Sequence, residues 1–212
     1  TSFGLAAIDG QPRIGHLAND HRIEQDYDIL RRPTNLWVTE PDGTHYLREA
    51  IIYADDPAFP GENGIGKPWR IFDSCGMVDT PGYDFKGLPL STTRHVLGSL
   101  MNTNSPPPEK TDWQTENLTG VLNLFSESFT TFAITDALGR PVESTAPDGS
   151  VQSFTYDTAG GLKTVELEFL PGDEVAKTIV RDIVYDSKGR RERIDYGNNT
   201  RTEYIYDANN FR

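Results

Sequence analysis

ITDALGRPVESTAPDGSVQSFTYDTAGG, residues 134–161, and IVYDSKGRRERIDYGNNTRTEYIYDANNFR, residues 183–212, use one short unit several times. The unit is an aromatic residue, an aspartate, two variable residues and then glycine or asparagine. Asp136, Asp157, Asp186 and Asp207 stand 21, 29 and 21 residues apart. A repeated spacing of this kind points to one small structural unit used again and again. Aspartate at the first corner of a β-turn accepts bonds from the amides that follow it. A glycine or asparagine three residues later tolerates positive φ. Together they describe a type I turn closed by a left-handed residue, a favoured hairpin connection. Gly139, Gly160, Gly189 and Asn210 fill that closing position.

A second turn signal falls half a period later, at Pro147, Asp148 and Gly149 and again at Gly197, Asn198 and Asn199. The stretches between turns, 140–146, 150–156, 190–196 and 200–206, would each make a strand of ~24 Å at about 3.4 Å per residue. One period is therefore one hairpin, and the chain should run up and down, adding two antiparallel strands per repeat. The expected class is all-β, an antiparallel meander.

Working back towards the N-terminus, the same unit opens at Asp28, where Arg31 stands in place of glycine. It recurs at Asp73 with Gly76 and at Asp84 with Gly87. Across the seven aspartates the preceding residue is Tyr or Phe except at Thr135. Such aromatics should pack across neighbouring strands. Pro41, Asp42 and Gly43 make a further turn. The expected layout is a lead-in at 1–23, a first part of the sheet at 24–100, a proline-rich irregular or short helical insertion at 101–128, and a second part at 129–212. Pro171, Gly172 and Asp173 should turn a longer hairpin. The 201–207 stretch should be an open edge strand, which invites edge-to-edge pairing with another chain.

Composition narrows the function. The 212 residues carry a formal net charge of −12, which argues against nucleic acid and anionic membrane surfaces. The single Cys75 allows no intrachain disulfide. No apolar run reaches transmembrane length. No charged-then-apolar leader opens the sequence. A chain that starts at Thr1 and stops five residues past Asp207 reads as a piece of something longer. Nineteen glycines and fourteen prolines punctuate it as a hairpin-rich protein would. Counted with glycine in place of tyrosine, about 41% of it is apolar, below the roughly 45–50% of globular domains. That suits a sheet with one face on a wet surface.

Candidate chemistry is sparse. His16 and His21, near Asp20 and Glu24, lack the spacing of zinc ligands and read as loop. Asp55, Asp56 and Glu62 offer oxygens for calcium without a calcium-loop pattern, and read as a solvated turn. No phosphate loop, nucleophile elbow or paired zinc ligands occur. No catalytic residue, metal or cofactor is therefore expected. Trp37, Trp69 and Trp113 are the candidates for stacking on carbohydrate.

The tyrosine-aspartate repeats resemble the YD or RHS repeat family. The run GKPWRIFDSCGMVDTPGYDFKGLPLSTTR at 66–94, with TDALGRPVESTAPDGSV and IDYGNNTRTEYIYD after it, resembles the repeat region of insecticidal toxin-complex B and C components. The resemblance covers about residues 24–212. It implies a sheet that spirals into a hollow shell, enclosing a toxin segment until delivery. The implied partners are the rest of that shell, the enclosed segment and a translocation component. The implied location is extracellular, after secretion, with a possible earlier stage in the cytoplasm. Family shells also carry a self-cleaving aspartyl protease motif, which is not found here. The expected function is a wall segment of such a shell. A cell-surface or carbohydrate-binding module is the alternative, and a glycosidase-like enzyme with two carboxylates the third reading.

Overall fold

The computed structural model describes residues 2–5, 10–98, 111–115, 125–169 and 176–207. Its described elements are fifteen β-strands and one 3₁₀ turn, Trp113–Thr115. The protein is all-β. It divides into two compact units, Thr1–Thr130 and Thr131–Arg212.

In the first unit the strands are β1 (Ser2–Leu5), β2 (Pro12–His16), β3 (Arg22–Tyr27), β4 (Pro33–Thr39), β5 (His45–Tyr53), β6 (Pro68–Asp73), β7 (Gly76–Asp79) and β8 (Ser91–Leu97). Each pairs antiparallel with the next in chain order. β1 and β2 lie inside the expected lead-in, so the sheet begins earlier than the repeat signal does. β9 (Phe125–Thr135) runs across the division between the units, starting four residues before the expected second part of the sheet.

In the second unit β9 pairs with β10 (Pro141–Thr145). β11 (Val151–Tyr156), β12 (Leu162–Glu168), β13 (Lys177–Tyr185), β14 (Arg191–Tyr196) and β15 (Arg201–Glu203) follow, each antiparallel to its predecessor. Most run one or two residues shorter than expected, because the turns draw the flanking residues into their own hydrogen bonds. The expected edge strand at 201–207 ends as a ladder at Glu203, although Tyr204 N still donates to Glu192 O at 2.9 Å. The expected turn at Pro171, Gly172 and Asp173 lies outside the described residues, as do the prolines at 106–108.

The core is concentrated in the first unit. Leu47, Ala50, Phe72, Met77, Leu97 and Trp113 form one buried cluster, with Trp37 and Ile52 packed against it. Trp113 reaches it from the 3₁₀ turn, which is pinned to the sheet by polar bonds. Leu47 N donates to Asp112 Oδ1 at 3.0 Å, Gln114 Nε2 to His45 O at 3.2 Å, and Trp113 Nε1 to Asp73 O at 3.2 Å. Among the described residues of the second unit the buried apolar side chains are Ile183 and Ile194, which face each other across β13 and β14. That unit is a ladder with little packed interior, as the low apolar content leads one to expect.

Candidate functional site: the aspartate turns

Five of the seven repeat aspartates open one and the same backbone turn. At Asp136 the aspartate N–H donates to Arg140 O at 2.9 Å, and Gly139 N donates to Asp136 O at 2.9 Å. Asp28, Asp84, Asp157 and Asp186 repeat both bonds within a few tenths of an ångström. The residue third after each aspartate has positive φ: Arg31 +64°, Gly87 +77°, Gly139 +80°, Gly160 +93° and Gly189 +76°. Arg31 adopts the left-handed conformation that glycine adopts elsewhere, at a steric cost.

The carboxylates face inward, onto their own turns. Asp136 Oδ1 accepts the amides of Leu138 (2.8 Å) and Arg140 (3.0 Å), while Oδ2 accepts Arg140 Nε at 2.8 Å. Asp28 holds Leu30, Arg32 and the Arg32 side chain in the same way, and Asp186 holds Lys188, Arg190 and its side chain. The Arg140 amide and guanidinium hold the Asp136 carboxyl below its ordinary value, and those of Arg190 do the same for Asp186. At Asp28 desolvation works upward, but the amide and side chain of Arg32 prevail and its carboxyl is also lowered. Such groups stay ionised at neutral pH with their lone pairs engaged. They are poorly placed to act as general acids or bases.

The arginine after the left-handed residue is the part that the sequence reading missed. Arg32, Arg140 and Arg190 each bind their aspartate and place the guanidinium over a tyrosine ring. The rings are Tyr53 at 3.9 Å, Tyr156 at 4.1 Å and Tyr206 at 4.3 Å. The tyrosine hydroxyls then bond backward: Tyr27 to Pro12 O, Tyr53 to Pro33 O, Tyr83 to Pro68 O, Tyr156 to Pro141 O, Tyr185 to Leu162 O and Tyr206 to Arg191 O. Register shifts fall beside Tyr27, Tyr53, Tyr156 and Tyr185, so a bulge accompanies each of these four tyrosines. The signal was present as an arginine directly after the left-handed position at Asp28, Asp136 and Asp186. At Asp157 that position is Gly161. A Cβ there would stand 2.7 Å from Tyr185 Cε2, so the ring fills the space that arginine occupies elsewhere.

Asp73 departs from the expected turn. It pairs directly with Gly76 across a two-residue loop of Ser74 and Cys75. Its Oδ1 accepts Cys75 N (2.8 Å) and Gly76 N (3.1 Å), and Arg94 grips both oxygens at 2.7 Å. Burial tends to raise the Asp73 carboxyl, and the bond from Arg94 overrides it and lowers it. Gly76 has φ +142°, and a Cβ there would meet His95 O at 2.1 Å. Its positive φ and its close approach to β8 both demand this glycine. Asp207 is exposed, and Asn210 lies outside the described residues.

The tryptophans are corrected more sharply. Trp113 is 1% exposed, edge-on to Phe72 at 5.0 Å, and Trp69 is 6% exposed, edge-on to Phe59 at 5.9 Å. Burial removes both as sugar-stacking surfaces. Trp37 is half-buried, stacked on His45 at 5.0 Å and bonded through Nε1 to Asp26 Oδ2 at 2.7 Å. Among the described residues no three His, Cys, Asp or Glu converge as a metal set. Asp55 accepts Gly66 N at 2.8 Å and pairs with Arg32, and Asp56 accepts Ala58 N at 2.8 Å, so these carboxylates build their loop.

Comparison with known proteins gives the frame for this geometry. No family model matches the chain. It is 29% identical over 98% of its length to the toxin subunit YenC1 of Yersinia entomophaga, and 31% identical over 76% to the toxin subunit YenC2 of the same organism. The chain carries the YD/RHS repeats of toxin-complex subunits. It spans 21% and 16% of the length of those two relatives. The crystal structure of TcdB2–TccC3 without its hypervariable C-terminal region matches 98% of the chain with TM-score 0.83 at 24% identity, using 10% of that chain. The Photorhabdus luminescens Tc holotoxin pore matches 98% of it with TM-score 0.83 at 23% identity, using 9%. The YD/RHS meander of this protein thus has the fold of a segment of those assemblies.

Proposed function

We propose that this chain is a wall segment of a YD/RHS-repeat shell that encapsulates a toxin polypeptide and helps to deliver it. The observation that carries the reading is the match along 98% of the chain to a segment of TcdB2–TccC3. The aspartate turns agree with it, because they spend their carboxylates on their own backbone and add strands one after another. A sparse interior in the second unit suits a wall with a wet face. The role is structural and not enzymatic. Its partners are the remainder of its own shell, an enclosed toxin segment and a translocation component. It acts outside the producing cell, after a stage in the cytoplasm before release.

The test is protection. A protease-recognition sequence is placed in the segment expected to be enclosed by the complete polypeptide, and cleavage is followed with the folded protein and after denaturation. The reading expects cleavage only after denaturation. Equal rates in the two states would overturn it.

A further inference from the structure

The tyrosine hydroxyls choose their acceptors by one rule. Pro12, Pro33, Pro68, Pro141, Leu162 and Arg191, whose carbonyls they reach, are the first residues of β2, β4, β6, β10, β12 and β14. Tyr27, Tyr53, Tyr156 and Tyr185 are the last residues of the strands that follow, β3, β5, β11 and β13. In an antiparallel pair the end of one strand lies beside the start of its predecessor, so the ring arrives where the preceding turn closes. Four of these acceptors come directly after an aspartate turn, those of Asp28, Asp136, Asp157 and Asp186. The rings of Tyr53, Tyr156 and Tyr206 also take the turn arginines Arg32, Arg140 and Arg190 beneath them, and the Tyr185 ring fills the space at Gly161.

The arrangement has a direction. Tyr156, Tyr185 and Tyr206 each stand immediately before an aspartate, yet each serves the turn before that one. Tyr156 closes the Asp136 turn, Tyr185 the Asp157 turn and Tyr206 the Asp186 turn. The carboxylate bonds given by Asp136, Asp157 and Asp186 stay within the turn that each aspartate opens. The two halves of a tyrosine-aspartate pair therefore work on different hairpins, one behind and one ahead.

We propose that the repeat sheet is a polar zipper, in which each turn is completed by the tyrosine of the hairpin that follows it. Losing a hairpin removes the lock from the turn before it and leaves the locks on later turns in place. Nearest-neighbour coupling of this kind is usual in repeat proteins, but here it runs one way. The sheet then closes in the order in which the chain is made and frays backward from its C-terminal side. This holds whether or not the sheet encloses a cavity.

The experiment is amide hydrogen exchange on the complete polypeptide, resolved to single residues by mass spectrometry. Tyr185→Phe keeps the ring and removes only the hydroxyl. Gly160 N and Gly161 N, which bond to Asp157 O and Oδ1, should exchange about five times faster, as the loss of one hydrogen bond allows. Gly189 N and Arg190 N, bonded to Asp186 O and Oδ1, should keep their wild-type rates although Asp186 is the neighbour of Tyr185. Tyr206→Phe should reverse the pattern, loosening Gly189 and Arg190 and sparing Gly160 and Gly161. Equal acceleration at both turns in either variant, acceleration at the adjacent turn alone, or unchanged rates at all four amides would overturn the zipper. Asp157→Asn tests the polarity: it should loosen its own turn and leave Gly189 and Arg190 as they are, and matching acceleration there would overturn the one-way coupling.

Discussion

Arg31 is the residue at which the repeat is under local strain. It sits at φ +64° in a turn whose counterparts at 87, 139, 160 and 189 are glycines. Arg31→Gly should therefore stabilise the protein by about 1 kcal/mol, the steric cost of a left-handed non-glycine residue. Urea unfolding checks this, and an unchanged midpoint would mean that the turn supplies no strain to relieve. Asp136 and Asp186 test the carboxylate side. Both have folded values below the unfolded one, so their contribution is present above the unfolded value of about 4 and is lost as pH falls through the folded values. Wild-type urea midpoints should fall below about pH 4. Asp136→Asn should begin lower at neutral pH and fall less steeply in acid. A parallel acid profile for variant and wild type would contradict the assignment. Gly161→Ala places a Cβ 2.7 Å from the Tyr185 ring, which is fixed by its bond to Leu162 O. The expected cost is about 1–3 kcal/mol, again by urea midpoint.

At the scale of elements, the turns were legible because their chemistry is local: an aspartate, two residues and a glycine suffice to write the backbone bonds. Asp73 shows where that stops. DSCG reads like DTAG or DSKG, yet it forms a two-residue loop, because Gly76 must lie against the His95 carbonyl on β8. That contact is tertiary and has no local signature. The same holds for Trp113, which looks free in sequence and is buried because Asp112 and Gln114 tie its short segment to β5. Arg32, Arg140 and Arg190 were visible but unassigned, since their tyrosine partners come from a later hairpin. Trp113→Ala should cost about 3–5 kcal/mol, as expected for emptying an aromatic site in a packed cluster. The first unit should lose this stability while the Asp136 and Asp186 turns keep their amide protection by hydrogen exchange. Uniform loss of protection in both units would contradict the separation of core and ladder.

For the whole molecule, the aspartates that give the sequence its rhythm act as geometry. They turn the chain, their arginines brace successive hairpins through tyrosines, and the resulting sheet is the proposed functional object. The central claim is that this sheet is a wall around a cavity. The most direct measurement is an electron-cryomicroscopy reconstruction of the complete polypeptide. The account predicts that residues 10–98, 125–169 and 176–207 lie in β-wall facing a closed interior that holds a separate segment of polypeptide. A reconstruction in which these residues project as a separate module, with no enclosed volume behind them, would contradict it.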